Sequence, residues 1–153
     1  MSNSFKARII TTPQTVTRKS VALTPSSAVD SRTLALAIAE AADDRKGADI
    51  ALLKVSDVSY LTDYFVVVSG FSSVQVKAIA RSIEDTVYEK WQRLPLQSEG
   101  KNEGNWVLID YGEVIAHIFL PKEREFYNLE AFWGHAERTP YPFPQSIKGS
   151  GPK

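Results

Sequence analysis

The sequence predicts an α+β (mixed α/β) fold, with a single mixed β-sheet of four to five strands and helices packed on it. Three observations carry this expectation. At 153 residues the chain can bury one core and falls short of the ~250 residues at which cores divide into domains. Its 43% hydrophobic and 24% charged content is that of a soluble globular protein, which excludes collagen-like and wholly disordered classes. Helical periodicity also alternates along the chain with short runs of β-formers, in the order helix, strand, strand, helix, strand, strand, helix.

Each element has a local reason. Ser31 can cap a first helix in which Leu34, Ile38, Ala41 and Ala42 recur at helical spacing, ending near Gly47. Asp49 to Val55 reads as a strand of β-branched and aliphatic residues. Tyr64 to Ser69 is a near-continuous apolar run, as expected of a strand buried on both faces. Gly70 breaks it, and Ser72 or Ser73 can cap the next helix. There Val76, Ile79, Ile83, Val87 and Trp91 form one stripe at spacings of three and four. Pro95 and the polar stretch 97–105 make a loop. Trp106 to Tyr111 and Glu113 to Leu120 then read as a hairpin turning at Gly112. Pro121 ends it, and Glu123 to Trp133 carries Phe126, Leu129, Glu130 and Trp133 in helical register.

The domain is expected over residues 31–137. Residues 1–30 hold ten Ser or Thr and no apolar periodicity, the signature of a flexible arm. Residues 138–153 hold Pro140, Pro142, Pro144 and Pro152 with Gly149 and Gly151, a tail without strand alternation. Lys6, Arg8, Arg18 and Lys19, with no acid in residues 1–29, make the arm basic, which suits either a solvated tail or a plastid or mitochondrial transit peptide. The chain as a whole is neutral, so the folded part is mildly acidic and lacks the basic surplus of a general nucleic-acid binder. Without cysteine there is no disulfide framework, no zinc knuckle and no thiol nucleophile. The longest apolar stretch is far below the roughly 18–20 residues of a membrane-spanning helix.

Few residues are candidates for chemistry. Ser69-Gly70-Phe71-Ser72-Ser73 leaves a buried strand and opens a helix, so its N–H groups can either receive an anion or serve as a helix cap. Asp57 and Asp63 flank Tyr60-Leu61-Thr62, as paired carboxylates for a metal or as turn residues bonding their own backbone. Asp110 sits late in a strand, facing solvent or needing a partner. His117 is a packed strand histidine or a base, and no serine or cysteine partner is identifiable for the second role. Trp106, Tyr111, Phe126, Tyr127, Phe132 and Trp133 crowd into the hairpin and final helix. Most must be core. Phe126 and Tyr127 are about 100° apart on a helix, so both cannot fill one stripe and one is left at the surface.

Several of these residues resemble the ribosomal silencing factor, or Iojap-like, family. The likeness lies in Thr62-Asp63-Tyr64-Phe65, the Ser69 to Ser73 turn followed by Gln75, Glu99-Gly100, the block Trp106 to His117, and Phe126 to Trp133. It spans about 100 residues in order. Asn128 departs from the acidic residue that relatives often carry after the helical tyrosine. The resemblance implies binding to the large ribosomal subunit through ribosomal protein L-fourteen, which blocks joining of the small subunit and represses translation under nutrient limitation. It implies a non-enzymatic, cytoplasmic protein without cofactor or metal, with a homodimer as one option for the free state. The contact patch would be built from hairpin and final helix, with Trp106, Asp110, His117 and Tyr127 as its candidates. A mildly acidic domain with surplus aromatics suits a basic protein partner.

Two rival readings differ in class. The family's fold is similar to that of nucleotidyltransferases, in the order α-β-β-α-β-β-α, whose sites combine a Gly-Ser turn with metal-holding strand carboxylates. This chain keeps Gly70, Ser72, Ser73 and Asp110 but has no acid between the turn and Glu84, so two metal ligands are lacking. Direct RNA binding through the basic arm is the other, and an acidic core with four arm charges disfavours it.

Overall fold

The computed structural model describes residues 29–142. The N-terminal arm to residue 28 and the tail from 143 lie outside the described residues. The elements are α1 (Ser31–Asp44), β1 (Ala48–Lys54), β2 (Tyr64–Ser69), α2 (Ser73–Trp91), β3 (Gln97–Glu99), β4 (Trp106–Asp110), β5 (Val114–Phe119), α3 (Pro121–Tyr127), α4 (Leu129–Phe132) and β6 (Glu137–Pro140). The strands form one sheet in the order β3-β4-β5-β2-β1-β6. Only the central pair, β2 and β5, runs parallel; its neighbours pair antiparallel. Every residue of β2 and of β5 is buried, as the unbroken apolar run Tyr64–Ser69 requires.

Helices α1 and α2 cover one face of the sheet. The expected stripe of α2 is its buried side, with Val76, Ile79, Ile83 and Val87 inaccessible and Trp91 packed at the margin. Each fully buried Ile here contributes about 1.5–3 kcal/mol relative to exposure. α1 approaches closely because its buried side is largely alanine, and Ser82 Oγ donates to the Ala41 carbonyl at 2.9 Å. Its N-cap is Asp30 rather than Ser31: the Thr33 N–H donates to Asp30 Oδ1 at 2.7 Å. A carboxylate accepts that bond and meets the positive helix end with a full charge, which a serine hydroxyl cannot supply.

Three expectations at the margins need correction. The sheet has six strands, not four or five. Gln97–Glu99, read as loop, pairs with β4, and Glu137–Pro140 pairs with β1 although residues 138–140 were assigned to the tail. Both are short edge strands, where polar residues and a proline are tolerated because one side of the ladder is empty. The final helix is also broken. Asn128 adopts a left-handed conformation (φ 47°) between α3 and α4, so Phe126 is not in register with Leu129 and Trp133. Asparagine is one of the few residues that enter this region at low cost.

Candidate functional site

The sheet's second face is incompletely covered. Phe65, Val67, Ile115 and Phe119 are buried there beneath Leu129 and Trp133 from α4 and its end, while Trp106 and Leu108 remain half-exposed beside them. The antiparallel register sets Trp106 opposite Phe119 and Leu108 opposite His117, so Trp106, His117 and Phe119 share one face. Trp106 stacks on Phe119 at 4.9 Å between ring centroids, and its Nε1–H donates to His117 Nδ1 at 3.1 Å. Tyr127, at the end of α3, lies on Trp106 at 4.6 Å. Three of the four predicted site residues therefore meet in one aromatic patch.

The histidine is a structural member of that patch. Its other ring contacts are Phe65 and Phe119, and burial pushes its pKa down to about 4. With Nδ1 accepting from the indole, the ring proton belongs on Nε2, and the neutral form prevails at pH 7. Of the two readings of a strand histidine, the packed, hydrogen-bonded one describes it.

Asp110 does not join the patch. It lies on the same face but at the far end of β4, four residues or about 13 Å along the strand from Trp106. Its Oδ1 accepts from the Gly112 N–H at 2.8 Å and fixes the hairpin turn, where Gly112 has φ +97°. The Ser69–Ser73 turn is likewise occupied. Ser72 Oγ accepts from the Gln75 N–H, Gln75 Oε1 from the Phe71 N–H, and the Phe119 carbonyl from the Gly70 N–H. These N–H groups form a helix cap, not an anion cradle. No group of three or more His, Cys, Asp or Glu able to hold a metal occurs among the described residues, Asp57 and Asp63 included.

A polar clamp that sequence reasoning missed sets the position of Tyr127. The nearly buried Arg124 on α3 donates from Nη1 to Ser69 Oγ at 2.8 Å and grips Glu130 on α4 with Nε and Nη2 at 3.0 and 2.8 Å. Arg138 on β6 closes on the same carboxylate at 3.1 Å. The hydrogen bonds from Arg124 hold the Glu130 carboxyl below its ordinary range. An arginine and a glutamate six apart match no helical spacing, so nothing in the sequence paired them. The same geometry turns Phe126 and Phe132 outward, 77% and 78% exposed, with Tyr127 between them at 50%.

A family profile described as "Ribosomal silencing factor during starvation" matches residues 28–151. The chain belongs to the ribosomal silencing factor family. Among its relatives, the ribosomal silencing factor of Bacillus subtilis is 43% identical over 64% of this chain and 82% of its own length. The chloroplastic Iojap protein of Zea mays is 37% identical over 71% of this chain, which spans only about half (47%) of that relative. A crystal structure of a Chromobacterium violaceum protein superposes with a TM-score of 0.67 at 37% identity, covering 69% of this chain and 88% of that one. Family membership assigns the chain to translation regulation, and the mixed α+β fold accords with the solved neighbour.

Proposed function

We propose that this silencing factor docks on the large ribosomal subunit through ribosomal protein L-fourteen and sterically prevents the small subunit from joining. The observation that carries the reading is the aromatic patch. Trp106 and Tyr127 pack at a half-open sheet face, with the outward ring of Phe126 edge-on to Tyr127 and the outward ring of Phe132 beside Trp133. Tyrosine and tryptophan dominate the energetics of protein interfaces, and a packed, half-exposed pair is pre-organised for docking. The mechanism needs affinity and position but no reacting group, so the protein acts without enzymatic activity or cofactor, in the cytoplasm. His117 holds Trp106 from beneath, and Asp110 fixes the hairpin that carries both.

Tyr127→Ala tests this. Removing a central interface aromatic costs ~2 kcal/mol or more, a roughly 30-fold loss of affinity. Co-sedimentation with large subunits should weaken accordingly, and subunit joining should recover. The melting curve should stay near the parent's, because Tyr127 is half-exposed in the free protein. A variant that stays folded and still blocks joining places the contact surface elsewhere.

A further inference from the structure

The opposite side of the sheet carries a feature that the aromatic patch does not use. Along the outer surface of α2 two adjoining grooves, of about 530 and about 320 Å³, share Lys77 and Arg81. The larger is bordered by Lys101, Glu84 and Asp85, the smaller by Arg45. Short side chains, Ala78 and Ala80, leave room between the long ones.

Three separate elements are arranged to bring these cations together. Arg45 caps the end of α1, where Gln75 Nε2 donates to the Arg45 and Lys46 carbonyls at 3.0 and 3.1 Å. Lys77 and Arg81 stand one turn apart on α2. Lys101 comes from the loop between β3 and β4, which lies against α2 because Gly104, at φ +76°, presents no Cβ to Ser73 and Lys77. An alanine there would approach both within 3.0 Å.

Position rather than ion pairing sets this cluster apart, since other lysines such as Lys46, Lys54, Lys90 and Lys122 are also without an ion pair among the described residues. Arg93 is committed to Glu113, Arg124 and Arg138 to Glu130, and Lys101 to Glu84. Arg45, Lys77 and Arg81 have no ion pair among the described residues, although acids outnumber bases over residues 29–142. The smaller groove is bordered by these three cations and no acid, whereas Glu84 and Asp85 border the larger, so the anion-attracting field is centred on the smaller groove.

The groove and the aromatic patch lie on opposite faces of the sheet but toward the same end of it. α2 starts just after β2 ends, and the loop that carries Lys101 and Gly104 leads directly into Trp106. The Leu120 N–H, at the foot of α3, donates to the Asn105 carbonyl of that loop at 2.9 Å. Patch and groove thus lie toward the same end of the sheet, on its two faces.

We propose that this groove seats backbone phosphates of large-subunit RNA while the aromatic patch meets ribosomal protein. The proposal rests on the docking reading above and adds a second, sequence-independent contact to it. Paired arginines suit phosphate oxygens, and such contacts position a protein without reading bases.

The test compares the parent, Arg45→Ala/Arg81→Ala and Tyr127→Ala for binding to purified large subunits across a salt series. Each lost phosphate contact lowers the slope of log affinity against log salt by about 0.7–0.9, so the double variant should lose about 1.4–1.8. Its melting temperature should not change, since both arginines are exposed and unpaired. Tyr127→Ala should weaken binding at an unchanged slope. Protein-free large-subunit RNA, as a second probe, should be retained better by the parent than by the double variant. An unchanged slope in the double variant, with Tyr127-dependent binding intact, overturns the groove proposal and leaves the docking reading standing. A parent that does not bind large subunits removes both. A reduced slope on subunits, with no difference on free RNA, assigns the groove to an acidic protein surface and overturns the RNA assignment.

Discussion

Mild acid should weaken this protein through a single side chain, His117. Its imidazole is packed between Phe65 and Phe119, and its Nδ1 accepts the Trp106 indole proton. A proton at that nitrogen must break the bond and charge a buried ring. Burial of the ring lowers the folded-state pKa to about 4, against 6.5 for the free side chain. Between these values the unfolded chain binds more protons than the folded one, so stability is full above the unfolded pKa and falls with pH down to the folded one. Below that both states are protonated, and His117 contributes no further change. From about pH 7.5 to about pH 5.5 the linkage amounts to about 1.3 kcal/mol, close to tenfold in the unfolding constant. That window lies above the ordinary carboxylate range, so the salt-bridged glutamates do not mask it. Urea unfolding at the two pH values measures the difference directly. His117→Gln keeps an acceptor for the indole but has no proton to gain in this range, so its stability should be nearly flat between the same points. A parent without the slope, or a variant that retains it, would refute the assignment.

Two further outcomes follow from the geometry. Arg124→Leu leaves Glu130 and Ser69 without their buried partner and should cost about 2–3 kcal/mol in chemical denaturation. Arg124→Leu/Glu130→Leu, which leaves no uncompensated buried charge, should recover much of that loss, and a double variant no more stable than the single one would contradict it. Incubation with each nucleoside triphosphate, Mg²⁺ or Mn²⁺ and candidate acceptors should release no pyrophosphate. Turnover abolished by Asp110→Asn would instead reveal a nucleotidyltransferase.

What the sequence made legible was what periodicity and burial dictate together. The α2 stripe and the Tyr64–Ser69 strand leave no alternative register, because any other would expose a row of aliphatic side chains. The β3 and β6 edges were not legible, since Gln97-Ser98-Glu99 and Glu137-Arg138-Thr139-Pro140 have no pattern of their own and pair only because a neighbouring strand presents a ladder. In the candidate site the sequence named Trp106, Asp110, His117 and Tyr127 together, and only the strand register shows that Trp106 and His117 meet while Asp110 lies along the same face at the far end of β4. The clamp of Arg124, Glu130 and Arg138 had no sequence signal, because its partners come from three elements.

Asn128 decides the character of the exposed surface. An unbroken helix would have carried Phe126 down onto the sheet with Leu129 and Trp133, as its spacing suggested. The left-handed turn at Asn128 instead separates α3 from α4, seats Tyr127 on Trp106 and leaves Phe126 and Phe132 in solvent. Burying a phenylalanine is worth about 1.5–3 kcal/mol, so two exposed rings forgo about 3–6 kcal/mol. That is a large share of the roughly 5–15 kcal/mol by which a domain is stable at all. The free protein does not recover it by internal packing, since the Arg124–Glu130 clamp holds both short helices in the open arrangement. A partner that covers the patch would recover it. Rings left outside the core beside a packed Trp–Tyr pair accord with the proposed docking surface.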